Sequence, residues 1–152
     1  MTQPPSYYPD ISDVANLIYT RTKDSLGHEL GTFTADTRPT DTQVTNIIDQ
    51  AAQDIEAMVD TDIPEGAYDY VEQSIACRAA MIIERSFFPE QIASDRSAYT
   101  QLRDDCKERF DAMIAAVQRE QGEEVYGELP LAGSPSGSFP PPELRYRLGR
   151  PI

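Results

Sequence analysis

The chain has 152 residues, 39% of them apolar, with a formal net charge of −13 and a pI near 4.3. That length fits one domain with room for a tail, and the apolar fraction supports one modest core. Charge and a mean hydropathy of −0.50 argue for a soluble protein and against adhesion to nucleic-acid phosphates or an anionic membrane surface. No apolar run approaches the roughly 20 residues of a membrane span. The start, MTQPPSYYPDI, has neither the basic nor the apolar region of a secretory signal, so a reducing compartment of synthesis is expected.

Residues 1–9 hold three prolines and two tyrosines, which predicts an extended arm. Ser12 is the expected N-cap of a short first helix carrying Ile11, Val14, Leu17 and Ile18 and ending near Arg21. Residues 23–38 (KDSLGHELGTFTADTR) read as a loop, with a short strand expected over Gly31–Thr34. Phe33 is the one large aromatic there and is expected to pin the loop to the core. His28 in this polar setting is expected to be solvated.

The second helix is the strongest element. Pro39 blocks backward extension, and Thr40 with Gln43 has the spacing of a capping box. Val44, Ile47, Ile48, Ala51, Ile55, Met58 and Val59 recur at three- and four-residue steps, which places them on one face. A third helix is predicted from about Ala67 to Phe88, with Pro89 as its stop, and Ala76, Ala79 and Ala80 permit close approach of a neighbour. A fourth is predicted from Ser94–Asp95 to about Gln121, with Tyr99, Leu102, Cys106, Phe110, Met113 and Val117 along its stripe and Gly122 as its end. Cys77 and Cys106 both fall inside helical patterns and are expected to be small buried groups. A disulfide would need them to face one another in an oxidising setting.

From Gly122 the composition shifts, with six of the twelve prolines and five of the eight glycines in the last 31 residues. An extended arm over 122–152 is expected, following a helical domain over 1–121. Such an arm can reach on the order of 100 Å. Tyr126, Leu129, Phe139 and Tyr146 are spaced like anchors for a partner groove, and Arg145, Arg147 and Arg150 make its end basic. The fold class expected is all-α: a four-helix bundle-like single domain with a long irregular loop and an extended C-terminal arm.

No glycine-rich phosphate loop, no GxSxG and no HExxH occurs. Nucleophilic catalysis would have to rest on His28, and the paired carboxylates Asp104–Asp105 and Glu123–Glu124 carry no signal in so acidic a chain. The expectation is a non-enzyme without cofactor, metal or catalytic residues.

The order of segments SDVANLIYTRTKD, GTFTADTRPTDTQV and NIIDQAAQDIEAMV resembles head-to-tail adaptor proteins of long-tailed bacteriophages (head-tail connector or head completion proteins), most of all those of phages infecting actinobacteria. The similarity spans about residues 10–120, and the TFTADTRPT run before a helix is its most specific part. The resemblance implies a small helical bundle assembling as a ring of about twelve copies beneath the portal. The implied partners are the portal protein, neighbouring subunits, and a stopper or tail-completion protein. Genomic DNA would pass through without sequence-specific binding, and no membrane is involved. Localisation would be the virion's head-tail interface, after synthesis in the host cytoplasm. Within that frame Tyr126, Leu129, Phe139, Tyr146, Arg145, Arg147 and Arg150 are the expected partner-binding residues. Lys23, His28, Glu29 and Phe33 are the expected contacts of the loop with the next ring or the DNA lumen. A monomeric acidic binding module or DNA mimic acting on a host protein is the alternative.

Overall fold

The structure is a computed structural model that describes residues 5–126, with side chains through residue 122. Its fold is all-α: the described residues form five α-helices, two short 3-10 helices and no strand. The helices are α1 (Ile11–Leu17), α2 (Asp41–Val59), α3 (Tyr68–Phe87), α4 (Pro89–Ser94) and α5 (Arg96–Tyr126). The 3-10 turns are Tyr19–Arg21 and Glu65–Ala67. The chain divides into two units, Met1–Glu120 and Gln121–Ile152, and the core described below belongs to the first.

The start of α2 is the predicted capping box. Gln43 N–H donates to Thr40 Oγ1 at 3.3 Å, and Thr40 N–H donates to Gln43 Oε1 at 2.9 Å, satisfying two amides that the helix cannot. Val44, Ile48, Ala51, Ala52 and Ile55 on this helix are buried. Met58, expected on the same face, is 54% exposed. It sits in the last turn, just before Asp60 takes a left-handed conformation (φ 56°) and turns the chain away. Helix α1 begins earlier than expected, with Asp10 rather than Ser12 as N-cap. Asp10 N–H donates to the Asp13 carboxylate at 2.8 Å, and Pro9 precedes it.

Helix α3 is the central element, packed against α1, α2 and α4. Val71, Ile75, Ala79 and Ile83 are fully buried on it, and Ala76 and Ala80 leave the room that close helix approach needs. Two contacts fix α5 against α3. Ser74 Oγ donates to the Arg109 carbonyl at 3.3 Å, and Cys77 is disulfide-bonded to Cys106 with Cα atoms 5.5 Å apart. Three residues forward on α3 thus correspond to three residues back on α5, so the two helices run antiparallel. Met113, Ala116 and Val117 of α5 complete the core.

This pairing corrects the expectation of two separate buried thiols. Each cysteine does lie on a buried stripe, at 1% and 0% exposure, but the antiparallel register puts the two stripes face to face at that level.

Three further expectations are corrected. Pro89 does not end the helical region. It occupies the first position of α4, where a missing N–H and a fixed φ cost nothing, so it marks a bend. Gly122 does not stop the last helix, which runs on to Tyr126. A glycine inside a helix costs only about 1 kcal/mol, so it weakens the helix at this point without ending it. Gly31–Thr34 is not a strand. The one bridge in the loop pairs Lys23 with Glu29.

Candidate functional site

The loop after α1 is an ordered hairpin, and its order comes from one carboxylate. Asp24 Oδ1 accepts from the backbone amides of Leu26 and His28, each at 2.9 Å. Asp24 N–H donates to the His28 carbonyl and Gly27 N–H to the Asp24 carbonyl, both at 3.0 Å. Gly27 takes φ 84° at the tip, a left-handed value that glycine adopts without penalty. The amide of His28 holds the Asp24 carboxyl below its usual range, with the Leu26 amide adding to the effect.

The hairpin is tied at its base by Thr22, which is fully buried. Thr22 accepts from Leu30 N–H through its carbonyl (2.9 Å) and from Gly31 N–H through its hydroxyl (3.0 Å). A second tie lies one residue earlier. Arg21 meets Glu84 of α3 through two hydrogen bonds, Nε to Oε2 at 2.7 Å and Nη2 to Oε1 at 2.9 Å. Its guanidinium lies 4.9 Å from the centre of the Phe88 ring. The Glu84 side chain is only 6% exposed, so this pair replaces water for a carboxylate that the fold has buried.

Beyond the hairpin, Phe33 is 3% exposed. That is the pinning role, and it removes Phe33 from the residues able to touch a partner. The expectation that it contacts the next ring or the lumen is therefore corrected. Lys23, His28 and Glu29 remain exposed. The His28 side chain is 70% exposed with Asp24 Oδ2 at 3.5 Å, an open arrangement rather than an enclosed catalytic pair.

The TADTRPT turn that follows is organised by Thr37, 4% exposed. Its hydroxyl accepts from Thr34 N–H at 2.9 Å and lies within donating distance of the carbonyls of Thr34 (2.9 Å) and Pro39 (2.7 Å). The most distinctive stretch of the sequence is thus a structural device that delivers the chain from the Phe33 anchor to the α2 cap.

The N-terminal arm is packed down. Tyr7 is 8% exposed, donates its hydroxyl to Glu56 of α2, and packs its ring tilted by 57° against Tyr68 of α3, with ring centres 5.2 Å apart. Burial, followed by the Glu56 hydrogen bond, raises the Tyr7 pKa above the tyrosine range. Tyr8 is raised in the same direction, again chiefly by burial.

Two grooves flank α1, each of about 240 Å³. One is lined by Tyr19, Arg21, Glu84, Ala98 and Leu102 among others. The second is lined by Asp13, Asn16 and Leu17 of α1, Glu72, Gln73 and Ala76 of α3, and Arg109 of α5. Burial raises the Glu72 pKa, and Asp13, Asp69 and Asp10 push in the same direction. Neither groove includes His28. Among the described residues no group of three or more His, Cys, Asp or Glu could hold a metal ion, and no helix is long and apolar enough to cross a membrane.

Of the residues expected to bind partners through the arm, Tyr126 is the last residue of α5, not part of an extended segment. Leu129, Phe139, Arg145, Tyr146, Arg147 and Arg150 lie outside the described residues. Sequence reasoning missed Glu84. Its position follows Ala80 by four and Cys77 by seven, on the buried stripe of α3, and a charge on such a stripe requires a partner.

Comparison with known protein families, curated proteins and solved structures gives no match.

Proposed function

We propose that this chain is a structural, non-catalytic virion protein that forms a ring between portal and tail or stopper, extending the DNA channel and joining head to tail. The observation that carries the reading is the resemblance of SDVANLIYTRTKD, GTFTADTRPTDTQV and NIIDQAAQDIEAMV to head-to-tail adaptors of long-tailed phages. The small all-α bundle is the architecture that resemblance implies. The charge also supports it, because residues 5–126 hold 24 carboxylates against 10 basic groups. A wall of that sign repels a duplex instead of gripping it. The partners in this reading are the portal protein, neighbouring copies and a stopper or tail-completion protein, with DNA passing through unbound. The basic, apolar-spaced residues beyond Tyr126 serve as the attachment arm.

The same acidity favours one other role, a monomeric acidic module that competes with DNA for a host protein. Co-purification with the portal protein of the same virus separates the two. The adaptor reading predicts rings on the portal by electron microscopy, and loss of attachment when residues 123–152 are removed. Attachment that survives this deletion removes the arm from the proposal. A chain that ignores the portal yet displaces DNA from a host protein selects the mimic.

A further inference from the structure

The chain leaves the core at Glu84 and does not return to it until Cys106. No residue over 85–105 is buried, although the stretch holds the end of α3, all of α4 and the part of α5 before Cys106. Phe87, Phe88 and Leu102 lean on the core and are only partly covered. The side-chain hydrogen bonds and the ion pair of residues 89–105 stay within the segment. Ser94 bonds to the Gln91 carbonyl at 3.3 Å, Ser97 to Asp95 at 2.8 Å, and Arg103 pairs with Asp104 at 3.5 Å. At the near end Arg21 reaches the Phe88 ring and attracts Asp95. At the far end the first buried link is the Cys77–Cys106 bond itself.

Past Cys106 the helix has other holds: Ser74 on the Arg109 carbonyl, and Met113, Ala116 and Val117 in the core. The segment before it does not. A six-residue helix and a helix end without a buried residue have little stability of their own, since isolated helices shorter than about 12–15 residues are marginal in water. Their order depends on being tied at both ends. The segment also helps to line the groove at the end of α1, where Ala98 and Leu102 join Leu17, Ile18, Arg21 and Glu84.

We propose that the Cys77–Cys106 bond is a redox latch. Oxidised, it holds residues 85–105 against the end of α1 and α3; reduced, it frees that segment to open while the rest of the bundle stays folded. The reductant is a low-molecular-weight thiol of the glutathione class. Two such thiols supply two electrons and two protons, and the Sγ–Sγ bond breaks by way of a mixed disulfide. The products are the Cys77 and Cys106 thiols and one low-molecular-weight disulfide, and oxidation by that disulfide runs the same exchange backwards. Both cysteines are buried, at 1% and 0% exposure, so the reagent reaches them when the segment opens. Opening uncovers Leu17, Ile18 and the Arg21–Glu84 pair, which the latched segment partly covers. The latch does not depend on the ring proposed above.

The test is hydrogen exchange read by mass spectrometry on three forms of the full chain: oxidised, reduced with dithiothreitol, and Cys77→Ala/Cys106→Ala, which needs no reagent to reach a buried bond. Thiol alkylation establishes the redox state of the first two. Protection over 89–105 should fall by about 100-fold in the second and third forms, the size of effect that opening a closed loop of this kind supports. At the same early times Val44–Ile55 and Val71–Ala80 should stay protected. Oxidised glutathione should restore protection in the reduced chain. Unchanged protection over 89–105 overturns the proposal. A loss shared evenly by α2, α3 and α5, wholesale unfolding included, overturns it too, because the bond would then serve the whole fold. A re-formed bond without restored protection has the same force.

Discussion

The α3–α5 seam and the hairpin after α1 are held by opposite means. At the seam, side chains turn inward: Cys77 bonded to Cys106, the Ser74 hydroxyl on a carbonyl of α5, and Met113, Ala116 and Val117 in the core. At the hairpin, polar groups do the fastening through Asp24, Thr22 and the Arg21–Glu84 pair, and the apolar side chains turn outward. A hairpin built for burial would show the reverse arrangement. The contrast separates the part of the molecule that makes it fold from the part that is free to meet something else.

The largest expected effect lies at the seam. Reducing the Cys77–Cys106 bond, or replacing both residues by alanine, should destabilise the chain by about 3–4 kcal/mol, the range expected for a closed loop of this length. Denaturant unfolding with and without reductant measures it. No change would mean that non-covalent packing alone holds α5. Next is Arg21→Ala, which leaves the Glu84 carboxylate buried without its partner and should cost about 3 kcal/mol. The lower end of the range for a broken buried pair applies because the Arg21 side chain is 20% exposed. Glu84→Gln, measured beside it, should cost less, since it removes the charge that needs pairing.

A smaller effect is expected from alkali. The folded pKa values of Tyr7 and Tyr8 lie above the ordinary 10.0, so the fold favours the protonated phenols. Their contribution is complete below the ordinary tyrosine value and is lost as pH rises through the folded values. Melting temperature should therefore hold steady up to about pH 10 and fall beyond it, with a shallower fall for Tyr7→Phe. A decline of equal steepness in that variant would take Tyr7 out of the account. The smallest effect is the one the contrast most needs. Leu26→Ser should change stability by no more than about 0.5 kcal/mol, because a side chain 78% exposed has little packing to lose. A drop of several kcal/mol would show that the hairpin tip belongs to the core.

How much of this was legible in the sequence follows from the range of each interaction. The Thr40–Gln43 cap and the buried face of α2 depend on residues three and four apart, and both were readable. The Cys77–Cys106 bond depends on the register between two helices, which spacing along either one does not encode. Glu84 was readable in part. Its place on the α3 stripe signals burial, but its partner Arg21 lies 63 residues away, on a 3-10 turn with no periodic signature. Gly122 misled because a stop signal worth about 1 kcal/mol yields to a helix with other reasons to continue. In the hairpin, Asp24 and Gly27 carry ordinary turn chemistry, yet only the fold shows that Phe33 points in and Leu26 out.

The proposed role, a ring component at a head-tail junction, is tested most directly by electron microscopy of portal-bearing particles assembled in the presence of this chain. The account predicts density for this helical bundle in a closed ring directly beneath the portal. Particles whose layer beneath the portal is built from a different chain would contradict it.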